Sequence, residues 1–322
     1  MVDVDFFLYA GAYFFMIFTV ARGMTLIIGY GRLHYLGFSV PVLVGGFTVS
    51  ALTIRLAYLF AEMNGVSLLP WISTDAWVEN SQVNAELVSA FLGTMPLLGI
   101  GLFLLSLVLA FLLAGLLTWG SAKPVLRLEP VYLAVLSYTL PSFFAYLSLS
   151  FVSLGGSYRG VYVPDVFAFI TSGREVFFLV VSGLVALLVS LLKGRMIRRL
   201  ADWSGVGVDG LVLFIGGGII GVIGCLYSFR YLFVVQANFV QMFWGWWPLL
   251  MLVFAGFGLD RRLLVSVFCV QLLRMIIVYL RNTIVGFIFF PVAFFESLLL
   301  GLLMILGLLI YQRWPGANDK IK

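Results

Sequence analysis

Apolar runs of membrane length recur through this chain, separated by short polar islands, and few folds accommodate that alternation. A helix needs about 20 apolar residues to cross ~30 Å of hydrocarbon. By that measure the sequence holds about nine spans, at 6–29, 35–60, 96–119, 131–152, 175–192, 211–229, 244–258, 263–280 and 284–311. Lipid offers the backbone no hydrogen-bond partner, so each run must satisfy its own peptide groups as a helix. The expected fold is an all-α, polytopic transmembrane bundle of 8–9 spans. The seventh run, FWGWWPLLMLVFAGFG, is short and carries Pro248, which marks it as a broken or re-entrant element. No linker or compositional shift divides residues 1–322, so they read as one transmembrane domain. The first run follows MVDVD, without a basic n-region or small-residue cleavage site, and is expected to remain as a span.

Charge orients the bundle. Only 10% of residues are charged, yet Lys193, Arg195, Arg198 and Arg199 fall within seven positions of one island, 193–210. The other basic linkers hold Arg32, then Lys123 with Arg127, then Arg261 with Arg262, and the tail holds Arg313, Lys320 and Lys322. The intervening segments are poor in basic residues; 61–95 carries Glu62, Asp75, Glu79 and Glu86 and neither Lys nor Arg. Basic linkers face the cytoplasm, which puts the N-terminus outside and the C-terminus inside a cell membrane. Arg159 and Arg174 stand on the outer side against this trend. Basic residues at the ends of apolar runs fit an anionic leaflet, not nucleic acid. In the 61–95 segment, Pro70, Trp71 and Trp77 suggest an interfacial helix with indoles at headgroup level, or else a solvated connector.

Missing chemistry narrows the function. No GxxxxGK[ST] phosphate loop and no paired Asp-rich motif occurs. His34 stands alone in an inner turn, without a second metal ligand nearby. Cys225 and Cys269 lie inside apolar runs and read as small buried hydrophobes. No nucleophile, base and acid fall in a recognisable pattern, so the chain is expected to be no enzyme and to need no cofactor. A pore, a transporter or a membrane scaffold remains.

Ionisable groups within spans mark candidate pathways or structural ion pairs. Arg22 lies within snorkelling reach of the inner headgroups. Arg274, Gln271 one turn from it, and Glu296 near the middle of the last span form the second group. An Arg274–Glu296 ion pair and a role in handling substrate or protons are both open. Closely spaced glycines, Gly45 with Gly46, Gly216 to Gly218 with Gly221 and Gly224, and Gly256 with Gly258, allow close helix packing or gating.

Several segments resemble the branched-chain amino acid ABC transporter permeases. IIGYGRLHYLGFSVPVLVGGF (27–47) is similar to their GY-x-G-x-x-SLGHAAFFGIGAY segment, with Gly29, Tyr30, Leu36, Gly37 and Gly45 in register. VLRLEPVYLAVLSYTL (125–140) resembles their LRLRG-PYFAI stretch through Arg127, Leu128, Tyr132 and Ala134. GGSYRGVYVP (155–164) keeps the GGS and Pro of GGSDGLSGIP. GVIGCLYSF (221–229) matches AGLAGALYA at Gly221, Gly224, Leu226 and Tyr227, and MLVFAGFG (251–258) resembles MVVLGGLG. These segments occur in the family's order.

The resemblance implies the permease subunit of an importer for branched-chain or related small amino acids. Two permeases, identical or different, would form the pore. Cytoplasmic ABC ATPases would drive it, and an extracytoplasmic solute-binding protein would deliver the substrate. Arg195, Arg198, Arg199, Asp202 and Trp203 on the most basic inner island would contact the ATPase. Gly37, Gly45, Gly221, Gly224, Gly256 and Gly258 would be the packing or gating glycines. The chain departs from the family at Phe38, Pro41 and Tyr158-Arg159, and its 193–210 island is shorter than the family's coupling loop. A sugar or nucleoside permease of the same superfamily, a stand-alone ion-coupled carrier and a scaffold are the alternatives.

Overall fold

The computed structural model describes residues 4–30, 33, 35–122, 129–170, 173–192, 199, 202, 207–256, 261–279 and 292–312. They form a helical bundle. In chain order the helices are α1 (Val4–Met24), α2 (Ser39–Thr48), α3 (Ile54–Met63), α4 (Thr74–Glu79), α5 (Ser81–Thr94), α6 (Pro96–Ala122) and α7 (Pro130–Ser150). A single turn, α8 (Val152–Gly155), precedes α9 (Arg174–Leu191), α10 (Val208–Tyr231), α11 (Trp247–Phe254), α12 (Arg261–Tyr279) and α13 (Val292–Gln312).

Six helical stretches are long and apolar enough to cross a membrane: Phe6–Gly29, Ser39–Met63, Pro96–Ala122, Arg174–Leu191, Val208–Tyr231 and Gln236–Phe254. Outward faces of the long helices carry apolar stripes at helical spacing, such as Leu104, Val108 and Leu112 on α6 and Leu264, Phe268, Leu272 and Ile276 on α12. Stripes of this extent are stable against hydrocarbon, not water. The chain is therefore a polytopic helical membrane protein. Three further long helices, α7, α12 and α13, coincide with apolar runs read from the sequence.

Close glycine contacts place α10 at the centre. With the first two spans, at 72% each, it is among the most buried, at 67% against 22% for α9. A Cβ on Gly45 would overlap the Gly221 carbonyl, and one on Gly224 would overlap the Val42 carbonyl, so α2 and α10 pack backbone to backbone. Gly217 and Gly218 likewise leave no room beside Thr118 and Phe111 of α6. With lipid tails as apolar as the side chains, such close approach supplies the dispersion energy that holds membrane helices together.

Hydroxyls inside the bundle are satisfied locally. Thr19, Thr25, Thr48 and Thr118 donate to the carbonyl four residues back, each at 2.7–2.8 Å. Such bonds spare hydrocarbon an unpaired donor and loosen the helix beside them. Wide π-helical turns begin at Thr25 and just after Thr48, covering Thr25–Tyr30 and Val49–Thr53; the second joins α2 to α3 as one span. The chain leading into the seventh run is irregular. It passes from a 3-10 turn (Gln236–Phe239) through a π-helical turn (Met242–Trp246) into α11, with Pro248 in the first turn of that helix. Non-helical backbone survives at this depth because protein surrounds it: Trp244 and Trp247 are 1% and 0% exposed.

Between the second and third spans, α4 and α5 fold back onto the bundle. Trp77 is covered by protein and not presented at the surface. It is 2% exposed, packed with Trp71 and Tyr58, and Arg55 stands 5.0 Å from its ring centroid. The cation draws the indole inward. Cys225 is buried, whereas Cys269 is exposed on α12, unlike the buried pair expected from the sequence; both are free thiols. The 155–164 segment turns through positive φ at Gly156, Ser157 and Gly160. It then forms a short antiparallel pair, β1 (Val161–Tyr162) with β2 (Phe233–Val234), in the register Val161↔Val234 and Tyr162↔Phe233.

Candidate functional site

A cavity of about 290 Å³ lies where α1, α10, α12 and the irregular 236–246 segment meet. Helical spacing aims each wall into it. Phe6, Tyr9 and Tyr13 lie on one face of α1 at i, i+3 and i+7, and Tyr227 and Tyr231 lie one turn apart on α10. Gln271, Arg274 and Met275 share a face of α12 at i, i+3 and i+4. Asn238, Phe243 and Trp244 complete the wall, in backbone that the broken span bends toward the cavity.

The polar groups of this cavity are held firmly. Arg274 donates from Nη1 to Tyr13 Oη at 2.7 Å. Its guanidinium carbon lies 5.5, 4.7 and 5.8 Å from the ring centroids of Tyr13, Phe243 and Trp247. Aromatic faces stabilise a cation that lipid would penalise. Gln271 is 5% exposed, and its Oε1 has no hydrogen-bond partner among the described residues. Tyr9 and Tyr231 hydrogen-bond through their hydroxyls, and Tyr227 packs on Trp244 at 5.0 Å between centroids. Asn238 donates no charge to the site, but its carbonyl accepts from Trp244 Nε1 at 2.8 Å and fixes that indole.

Beside the cavity stands an ion-pair cluster at the same end of the bundle. Arg230 Nη2 meets Glu175 Oε2 at 2.6 Å, and Arg174 Nε lies 3.3 Å from Asp165 Oδ2. Arg174 also donates to the Phe229 carbonyl at 2.8 Å. Arg174, one of the two arginines expected on the outer side, is thus paired with a carboxylate. Arg22 is buried, not snorkelling, and donates from Nη2 to the Ser190 carbonyl at 3.3 Å near the C-terminal end of α9.

Arg274 and Gln271, adjacent in the sequence reading, line one cavity. The Glu296 side chain, and with it the Arg274–Glu296 ion pair, lies outside the described residues, although the backbone there belongs to α13. Of the island residues, Arg199 and Asp202 are exposed, while Arg195, Arg198 and Trp203 lie outside the described residues, as do His34 and Gly258. Gly45, Gly221 and Gly224 meet at the α2–α10 contact. Gly37 is buried in the turn before α2, its carbonyl accepting from Val40 N at 3.1 Å. Gly256 is a turn residue, with φ +67, and among the described residues nothing lies within 4 Å of its Cβ direction. Among the described residues no cluster of His, Cys, Asp and Glu could hold a metal ion.

The tyrosines of the cavity were not singled out in the sequence. Tyr9 and Tyr13 are spaced one turn apart, as are Tyr227 and Tyr231, which is a usable signal for a shared face. Their meeting across more than 200 residues is not written in either spacing. A larger hollow of about 580 Å³ lies between α11, α12 and α13, with Arg261 and Arg262 at its rim. Its walls are otherwise apolar, and Ser266 within it is already satisfied by the Met251 carbonyl at 2.6 Å.

Comparison with known proteins adds a full-length relative. Over 325 aligned residues the chain is 22% identical to a Methanocaldococcus jannaschii protein named "Probable branched-chain amino acid transport permease protein LivM". The alignment covers 94% of this chain and 90% of that protein. No family model matches the chain. No solved structure matches it either.

Proposed function

We infer from this kinship that the chain, a membrane transport permease and distant full-length homologue in the branched-chain amino acid ABC transporter family, is the membrane-spanning subunit of an importer for branched-chain or related small amino acids. The alignment, covering 94% of the chain, is the observation that carries this reading. It agrees with the sequence, which lacks a phosphate loop and so needs a separate motor. The importer comprises two permease subunits, cytoplasmic ABC ATPases and an extracytoplasmic solute-binding protein. The chain crosses the cell membrane about nine times, α7, α12 and α13 adding to the six apolar spans, with its N-terminus outside and C-terminus in the cytoplasm.

In this reading the 193–210 island meets the ATPase through Arg195, Arg198, Arg199, Asp202 and Trp203. Closure of the ATPases is transmitted through the inner loops as a rocking of packed helices. Gly37, Gly45, Gly221 and Gly224 allow α2 and α10 to shift as closely packed bodies. Co-purification tests the contact: wild type should retain the ATPase encoded beside it, and an Arg198→Glu/Arg199→Glu variant should lose it. Equal recovery would sink the island as the contact. Amino acid uptake that survives ATP depletion while a proton gradient is maintained would sink the importer reading itself.

A further inference from the structure

We propose that the hollow between α11, α12 and α13 seats one acyl chain of an anionic phospholipid, with the lipid's phosphate at Arg261. This goes beyond the transport reading and depends only on the bundle lying in a membrane.

The shape comes from the way three helices meet. Both α12 and α13 pack on α11, and far less on each other, so a furrow of about 580 Å³ stays open between them. On α13, Gly307 allows the approach to α11: a Cβ there would meet Val253 Cγ1 at 3.1 Å. On α12, Arg261, Val265 and Cys269 line the furrow at i, i+4 and i+8, and Val270 and Leu273 continue the same face. From Arg261 to Leu273 the helix rises about 18 Å at 1.5 Å per residue. One leaflet is half of a ~30 Å hydrocarbon core, or ~15 Å. The furrow therefore runs from the charged end of α12 to about the bilayer centre, which is the reach of one lipid's acyl chain.

Its walls separate charge from hydrocarbon. Ser266 donates its hydroxyl to the Met251 carbonyl at 2.6 Å, and the aliphatic walls offer no hydrogen bond. A polar solute would lose its water there without compensation. An aliphatic chain loses nothing.

The charge sits at one end. Arg261 is exposed at the rim, while Arg262 beside it already has a partner within the fold. Arg261 therefore meets the headgroup, and Arg262 adds to the local field. Both stand in the first turn of α12, which holds no acidic residue. The positive end of the helix dipole disfavours cations at that position and favours an anion brought to them. Asp260, next in the sequence, lies outside the described residues; one carboxylate against two guanidiniums still leaves a net positive charge. A guanidinium matches phosphate oxygens with two parallel hydrogen bonds. Basic pockets between transmembrane helices hold anionic headgroups in this way.

Photolabelling of the full chain in phosphatidylcholine nanodiscs tests the site. The probes are phosphatidylglycerol and phosphatidylcholine carrying the same diazirine acyl chain, each added as a trace. Mass spectrometry of the peptides compares labelling in the furrow with labelling on the exposed Leu104–Leu112 face of α6. In wild type the phosphatidylglycerol probe should label the furrow about fivefold more than its neutral counterpart, the preference that one net cation gives an anionic headgroup. On α6 the two probes should label alike. This comparison needs no mutation. Arg261→Gln should bring the furrow ratio down to that of α6. Leu303→Trp, which fills the furrow, should reduce labelling there by both probes and leave α6 labelled, showing that the bundle persists. Inorganic phosphate, at matched ionic strength, should displace nothing. Equal ratios at furrow and α6 in wild type would reduce the furrow to ordinary lipid contact and overturn the proposal. So would a ratio unchanged in Arg261→Gln, or displacement by free phosphate. An unlabelled furrow beside a labelled α6 would mean that protein, such as a second copy of the chain, covers it instead.

Discussion

Arg230 and Glu175 join α10 to α9 through a 2.6 Å ion pair in which the arginine side chain is 2% exposed and the glutamate 30%. Tyr9 of α1 lays its ring 4.3 Å from the same guanidinium carbon, so one cation ties three helices together at the end of the bundle that holds the cavity. A buried cation is costly without its partner, and removing the partner alone exposes that cost.

Glu175→Gln should therefore destabilise the protein by about 2 kcal/mol, the range for a hydrogen bond to a charged group. The double variant Arg230→Met/Glu175→Leu should be less destabilised than the single Arg230→Met or Glu175→Gln, because it removes the charge together with its counter-charge. Thermal unfolding of the purified full chain in detergent gives the order. A double variant weaker than either single one would mean that the pair is a net source of stability in this setting.

The α2–α10 contact makes a sharper steric claim. Gly224→Val would drive a side chain into the Val42 carbonyl, and Gly45→Val into that of Gly221. Backbone cannot move aside as a side-chain tip can, so each should cost about 1–3 kcal/mol or more and reduce the yield of folded protein. Gly101→Ala, which meets nothing within 4 Å on α6, should be neutral or gain up to about 1 kcal/mol from helix propensity. Fluorescence-detected size exclusion of all three measures the contrast. Tolerance of Val at 224 would deny the close approach.

Much of this bundle can be read directly from hydropathy. The run at 96–119 becomes Pro96–Ala122 and that at 175–192 becomes Arg174–Leu191, because an apolar segment in lipid has no alternative to a helix. What hydropathy does not encode is which faces meet. Arg230 reads as one more basic residue near a helix end, and only the fold brings Glu175 to it from 55 positions away. Arg274 and Gln271 are visible as polar residues in an apolar run, one turn apart. The aromatic box around them is assembled from α1, the irregular segment and the start of α11, more than 20 residues distant in chain at every point. Trp77 shows the limit of a rule based on residue type: an indole suits an interface in general, but a nearby cation and two aromatic rings draw this one inward.

Arg55 extends that point into a prediction. It donates from Nη2 to the Ser153 carbonyl at 2.9 Å while standing over Trp77, so it links α3, the folded-back α4 and the turn at α8. Arg55→Met keeps much of the aliphatic stem but removes both attachments. The 61–95 segment should then open more often, with limited proteolysis cutting within 64–73 several-fold faster than in wild type, and Trp emission should shift to the red as Trp77 meets water. Arg55→Lys should restore little, because an ammonium cannot reproduce the planar stack and fork together. Unchanged cleavage in Arg55→Met would show that the segment is held by its apolar contacts alone.

Orientation can be tested on the same outer segment. With the N-terminus outside, Asp75 on α4 faces the exterior and Asp202 the cytoplasm; both are exposed. Cys225 is buried, and the exposed Cys269 is replaced by Ser so that its thiol does not react. In intact cells a membrane-impermeant maleimide should label Asp75→Cys and spare Asp202→Cys, and permeabilisation should make the two equal. The opposite pattern would invert the bundle. It would place the most basic island outside, against the tendency of Lys and Arg to stay on the cytoplasmic side, and out of reach of a cytoplasmic ATPase.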